Sequence, residues 1–199
     1  MTIAIYLAGS ITKGHEQMGK DTWLDEHREV IRERLSDFNV ILLDPAIRGD
    51  DLNDARSTFG RDLFMVSTAD IVLVDVRGKR GIGVGAEMMW AKCKKVPLIA
   101  WAPDGTHYNC KDTSILGVRV ESYVHPFVEA LPDARVQSLE EACTLIRDYM
   151  TGKREVKGEQ SVFDAIEYYL ETQLENDTVM QEHLSAYPEL KERIEKSLI

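Results

Sequence analysis

Two carboxylates, a tyrosine and a run of glycines stand where an α/β protein can use them. The stretch GIGVGAEMMWA, residues 81–91, sets Gly81, Gly83 and Gly85 at alternate positions ahead of Glu87. Around Glu87 lie Val84, Ala86, Met88, Met89 and Trp90. A carboxylate early in a helix gains from the helix dipole and needs no function to be there. In a partly apolar pocket the same group becomes a nucleophile or an acid, with burial raising its pKa and helix N–H groups lowering it. Asp62, near the expected start of the helix in GRDLFMVSTA, is either a helix-start residue or a second carboxylate. Chemistry at a sugar's anomeric carbon wants such a pair, one group attacking and another handling the proton. Tyr6, inside the apolar run IAIYLAG, is either a core aromatic or a hydroxyl near the reacting group.

The glycine pattern G-x-G-x-G-x-E follows the third apolar run, not the first, and no Gly-Lys-Ser/Thr ends it. It therefore matches neither the dinucleotide fingerprint nor the phosphate-binding loop of nucleotide hydrolases. Two readings remain: a strand-to-helix turn that needs glycine, or a clearing that lets a ligand approach Glu87. The five histidines form no HxxxH or HxH pair, so no dedicated metal site is expected.

These residues need a scaffold. Apolar runs at IAIYLAG, NVILLDP, ADIVLVDV and VPLIAWAP read as buried strands. Between them, TWLDEHREVIRERLSDF, capped by Asp21 or Thr22, GRDLFMVSTA and VGAEMMWAKCKK read as helices. A short fifth strand is expected near Val118 to Val124. SLEEACTLIRDYM follows as a helix with a capping box, Ser138 with Glu141. This alternation predicts an α/β domain over residues 1–150, with a mostly parallel sheet. Residues 151–161 read as a linker. Residues 162–199 read as a helical C-terminal appendage, too small for a core of its own.

In such a sheet, ligands bind beyond the carboxyl ends of the strands. Gly9 and Ser10 follow the first strand, Asp44 and Arg48 the second, the glycines and Glu87 the third, and Asn109 the fourth. Composition narrows the partners. The net charge is −10 and no basic run occurs, which argues against nucleic acid. The three cysteines form no CxxC pair, as expected of reduced thiols in a cytoplasmic protein. No segment reads as a membrane span.

The blocks IYLAGSI, RDLFMVSTADIVLVDV, GIGVGAEMMWA and KKVPLIAW, in that order over residues 3–102, resemble the nucleoside 2-deoxyribosyltransferase superfamily. That superfamily includes nucleoside 5′-monophosphate N-glycosidases. The resemblance implies a flavodoxin-like or Rossmann-like three-layer α/β domain, and cleavage or transfer at the N-glycosidic bond of a nucleoside or nucleoside 5′-monophosphate. It implies Glu87 as the nucleophile that forms a glycosyl-enzyme ester, Asp62 as the proton-handling partner and Tyr6 as the group orienting the carboxylate. It further implies that Gly9, Ser10, Gly83 and Gly85 meet the substrate, that no cofactor is needed, and that the protein is a homodimer or larger homo-oligomer. The family's transferases typically carry an aspartate six residues before the glutamate, and its hydrolases a serine. Here that residue is Gly81, and Thr12 replaces an arginine that the hydrolases tend to hold. A phosphate contact at this position then falls to the Gly81 N–H, with Lys13, Lys79, Arg80 or Arg48 to supply the charge. The other reading of the same fold is a non-catalytic nucleotide-binding or sensing module.

Overall fold

The computed structural model describes residues 1–11 and 23–197. It divides into two compact units, Met1–Gly158 and Glu159–Ile199. The first is an α/β domain whose central sheet is formed by β1 (Thr2–Ala8), β2 (Asn39–Leu43), β3 (Ile71–Asp75), β4 (Leu98–Trp101) and β7 (Ala134–Val136). The order is β2-β1-β3-β4-β7 and every pairing is parallel. That is the doubly wound, flavodoxin-like order, whose switch point lies between β1 and β3.

Alternation along the strands divides the core in two. Ile3, Ile5, Leu7, Leu73, Ile99 and Trp101 pack with Ile31 and Leu35 near helix α1 (Asp25–Arg34) and with Ala142, Cys143 and Ile146 of α5 (Leu139–Met150). The alternate residues Tyr6, Val72, Val74 and Ala100 are equally buried and face the other way. On that side lie α2 (Ala55–Thr68) and α3 (Ile82–Cys93), which bury Val66, Val84, Met88 and Ala91. Three layers result. Lys92 of α3 is wholly buried, with its Nζ 2.6 Å from Asp133 Oδ1, while Asp133 Oδ2 accepts the Leu98 N–H at 2.8 Å. This ion pair ties α3 to the strand ends at β4.

Several boundaries differ from those the sequence suggests. Helix α1 starts at Asp25 with Leu24 at the N-cap, where His27 Nδ1 accepts the Leu24 N–H at 3.1 Å. The proposed caps Asp21 and Thr22 lie outside the described residues. Helix α2 begins at Ala55, ahead of the expected GRDLFMVSTA stretch, because Asp54 caps it by accepting the Arg56 and Ser57 N–H groups. Asp62 is thus an interior helix residue and not a helix-start one. Helix α3 begins at Ile82 with Gly81 as N-cap, so Gly83 and Gly85 are helical. Val118 to Val124 does form a strand, β6, but it pairs antiparallel with β5 (Asn109–Ile115) in a separate hairpin. The fifth sheet strand is instead β7, reached after the short helix α4 (Pro126–Glu129).

Ser138 caps α5 by accepting the Glu141 N–H at 3.2 Å. The Glu141 carboxylate reaches back one residue further than a capping box requires, to the Gln137 N–H. In the expected linker, Val156 packs on the core and the Lys157 N–H lies 3.3 Å from Asp133 Oδ1. The second unit holds α6 (Gln160–Thr172), a 3-10 turn (Leu174–Asn176), α7 (Thr178–Ala186) and α8 (Pro188–Ser197). Among the described residues no helix is long and apolar enough to cross a membrane.

Candidate active site

Tyr6 comes from the buried strand β1, and Glu87 from the second turn of α3, which lies across β1 and β3. Both side chains turn into the same apolar layer. Tyr6 is fully buried and Glu87 is 8% exposed. The hydroxyl and the carboxylate lie close enough to shift each other's titration. Yet neither Tyr6 Oη nor Glu87 Oε2 has a hydrogen-bond partner of good geometry among the described residues. Burial pushes the Glu87 carboxyl up to about 7, the Tyr6 hydroxyl draws it down, and the charge of Asp62 adds to the upward push. Burial, then the charges of Glu87 and Asp62, raise the Tyr6 pKa, so the phenol stays a neutral donor. A buried acceptor with no donor is costly, and a ligand hydroxyl placed there would relieve it.

Asp62 stands near this pair but is engaged elsewhere. Arg48 Nη1 lies 3.1 Å from its Oδ1 and 3.3 Å from its Oδ2, and Arg61 Nη1 3.4 Å from Oδ1. Arg48 also holds Asp50 through Nε at 2.9 Å and Nη2 at 2.7 Å. Those contacts keep the guanidinium charged and its pKa raised.

The remaining candidates fall into three places. Gly9, Ser10 and Asp44 line a cleft of about 260 Å³ at the carboxyl ends of β1 and β2, with Trp23, Arg28 and Pro45. Neither Glu87 nor Asp62 nor Tyr6 lines it. Asp44 is buried, accepts the Ala46 N–H at 2.8 Å and pairs with Arg28. Gly9 allows a close approach, because a Cβ there would sit 2.9 Å from Trp23 Nε1, which donates to Ala8 O. Gly81, Gly83 and Gly85 lie at the open start of α3. A Cβ on Gly83 would meet only Glu87 Oε1, at 3.8 Å, and one on Gly81 or Gly85 nothing. Asn109 sits apart, at the start of β5, where its amide donates to Ala102 O at 2.8 Å and Asp104 Oδ1 at 2.9 Å. Lys13 and Thr12 lie outside the described residues.

Sequence reading missed a charged cluster at the end of β3. Asp75, fully buried, is bound by Arg77 through Nε at 3.0 Å and Nη2 at 2.9 Å. Arg77 lies over the Trp101 ring, 3.7 Å from its centroid. Arg80 donates through Nε to Asp75 O and through Nη1 to Ser10 Oγ at 3.1 Å, bridging β3 to β1. Tyr108 closes the loop by accepting the Arg80 backbone N–H at 3.0 Å. The available signal is VDVRGKRG: an aspartate ending a buried strand, with arginines two and five residues on. Among the described residues no three of His, Cys, Asp and Glu are grouped to hold a metal ion.

No protein-family model and no curated protein matches the chain. Among solved structures it is similar to that of a 2-deoxyribosyltransferase from the psychrotolerant bacterium Bacillus psychrosaccharolyticus. That protein is described as a suitable biocatalyst for the industrial synthesis of antiviral and antitumoral nucleosides. Identity is 14%, the match covers 70% of this chain and 89% of that one, and the TM-score is 0.45. The similarity is remote and assigns no role to any residue.

Proposed function

We propose that the protein is an enzyme that breaks the N-glycosidic bond of a nucleoside or nucleoside 5′-monophosphate. One observation carries the reading: a buried carboxylate, Glu87, with an unsatisfied oxygen, facing a neutral tyrosine hydroxyl at the switch-point edge of a doubly wound sheet. The ionised Glu87 forms a bond from its oxygen to C1′ while the C1′–N bond breaks and its electron pair leaves with the base. The departing nitrogen takes a proton from solvent or from a group near Asp62. Water, or a second base, then attacks C1′ and frees the carboxylate. The negative charge of Glu87 and Asp62 stabilises the oxocarbenium-like sugar between the two steps. Tyr6, a neutral hydroxyl close enough to shift the titration of Glu87, orients the carboxylate. A second copy of the chain is part of this reading, in keeping with Ile82 at 97% and Phe64 at 66% exposure on α3 and α2.

The test is base release from a panel of nucleosides and their 5′-monophosphates, with and without an acceptor base. The wild type is expected to release base, and Glu87→Ala to release none while keeping its fold. Unchanged turnover in that variant overturns the reading. A ligand-sensing module is the second reading, favoured by the ion pairs that occupy Asp62. It predicts binding of the same ligands without base release.

A further inference from the structure

Asp62 has two roles open to it, proton donor or hydrogen-bond acceptor, and its neighbours decide between them. Its Oδ1 accepts from Arg48 Nη1 at 3.1 Å and from Arg61 Nη1 at 3.4 Å, and its Oδ2 from Arg48 Nη1 at 3.3 Å. A carboxylate carries about four acceptor sites and no donor. Among the described residues, those on Oδ1 are taken by the two guanidiniums, while Oδ2 keeps one open for a ligand.

Arg48 is gripped in turn from its other side. Its Nε and Nη2 hold the two oxygens of Asp50 at 2.9 Å and 2.7 Å, and Nη1 also reaches Pro45 O at 3.4 Å. Such a two-point grip fixes the plane of the guanidinium, which a lysine could not reproduce. Arg61 is anchored by Nη2, 2.7 Å from Ile47 O. Arg48 and Asp50 belong to the loop between β2 and α2, and Arg61 and Asp62 to α2 itself. The four charges sum to zero, and the Arg48 side chain is only 10% exposed, so salt screens its pairs little. The network adjoins the catalytic pair. Tyr6 of β1 feels the charges of Asp62 and Arg48 with opposite signs, and Glu87 of α3 feels that of Asp62.

We infer that Arg48 is a positioning residue: its fork fixes Asp62 as an acceptor for a hydroxyl or N–H of the substrate, and the departing base takes its proton from solvent. This deepens the proposed function and rests on it for the reaction. The C1′–N electron pair leaves on the base nitrogen, which water protonates. The water or second base that then attacks C1′ returns a proton to solvent, so the protons balance without Asp62.

The experiment reads kcat/KM on the full chain with the nucleosides that the wild type turns over. Arg48→Gln and Asp62→Asn should each lower it by about tenfold or more, and the double variant no further than the larger single loss, because the two residues act as a unit. Arg48→Lys, which keeps the charge without the fork, should recover only part. Asp50→Asn loosens the grip without touching Asp62 and should act in the same sense, which keeps the test open if Arg48→Gln fails to fold. Losses that multiply in the double variant overturn the positioning role. The pH profile separates acceptor from donor. With Asp62 an acceptor, the wild-type profile stays level above about pH 7 and the Asp62→Asn loss is constant there. A wild-type rate that falls in that range, with a loss that fades alongside it, identifies Asp62 as the donor and overturns the inference. Calorimetry with the same nucleoside panel on Glu87→Gln repeats the cycle without turnover. If binding couples Arg48 to Asp62 while no form releases base, the positioning stands and the reaction falls. If no form binds any of the panel, both fall.

Discussion

Glu87 is held between opposing influences, and the balance sets its pH behaviour. Burial raises its pKa toward 7 and the Tyr6 hydroxyl draws it back. If the carboxylate is the nucleophile, kcat/KM should rise about tenfold per pH unit below about 7 and level above it. A profile that falls through the same range would make Glu87 an acid instead. Replacing Tyr6 by Phe removes the influence that lowers the pKa, so that limb should move to higher pH. Below pH 4.5, where Glu87 is protonated in both states, stability should not fall, because Tyr6 Oη has no partner of good geometry to lose. A profile left in place in Tyr6→Phe would remove Tyr6 from any positioning role.

The same shift acts on stability. The folded protein keeps a proton on Glu87 that the unfolded chain has lost between its ordinary pKa of 4.5 and about 7. Stability therefore falls as pH rises through that window, by about 3 kcal/mol in total. Glu87→Gln, which cannot ionise, should be more stable than wild type by that order at pH 8. The advantage should vanish below pH 4.5. Urea unfolding at the two pH values measures it, and an equal gain at both would mean that packing and not ionisation is responsible.

At the scale of elements, four strands were legible as continuous apolar runs, because a parallel sheet is covered on both faces, and the helices beside them by the period that one buried face imposes. Glu87 early in a helix and Tyr6 within a strand were legible for the same reason. What stayed hidden lacked that signal. Strand β7 has three residues, with Arg135 at its centre, too short to show alternation. The β5–β6 hairpin is mostly exposed, with polar strands, and its turn has Leu116 at φ 51° and Gly117 at φ 80°. Two positive φ angles fit a type I′ turn, but Leu is not the Asn or Asp that announces one.

The Lys92–Asp133 pair was hidden because a lysine in a helix normally reads as solvent-facing. It joins elements 41 residues apart. Lys92→Ala should leave the buried Asp133 carboxylate without its counter-charge, costing about 3–5 kcal/mol. Denaturant titration measures this, and a loss below about 1 kcal/mol would show that Asp133 is rehydrated in the variant.

On the scale of the whole molecule, the two units differ in how they are built. Residues 1–158 carry both halves of the core, whereas no described residue of 159–199 is buried. Those last 41 residues hold ten acidic and three basic side chains, a net −7 of the chain's −10. They form helices because α6 and α8 concentrate their apolar residues on one side, but 41 residues cannot bury a core of their own. The α/β unit should therefore fold without them. A chain ending at Gly158 is expected to unfold cooperatively within about 4 °C of the full protein, the shift that about 1 kcal/mol produces at this size. The isolated 159–199 peptide should show little helix by circular dichroism, since short helices without tertiary packing are marginal in water. If the truncated chain melted far lower, the helical unit would be part of the α/β unit's stability. If the peptide folded alone, the acidic unit would be a domain in its own right.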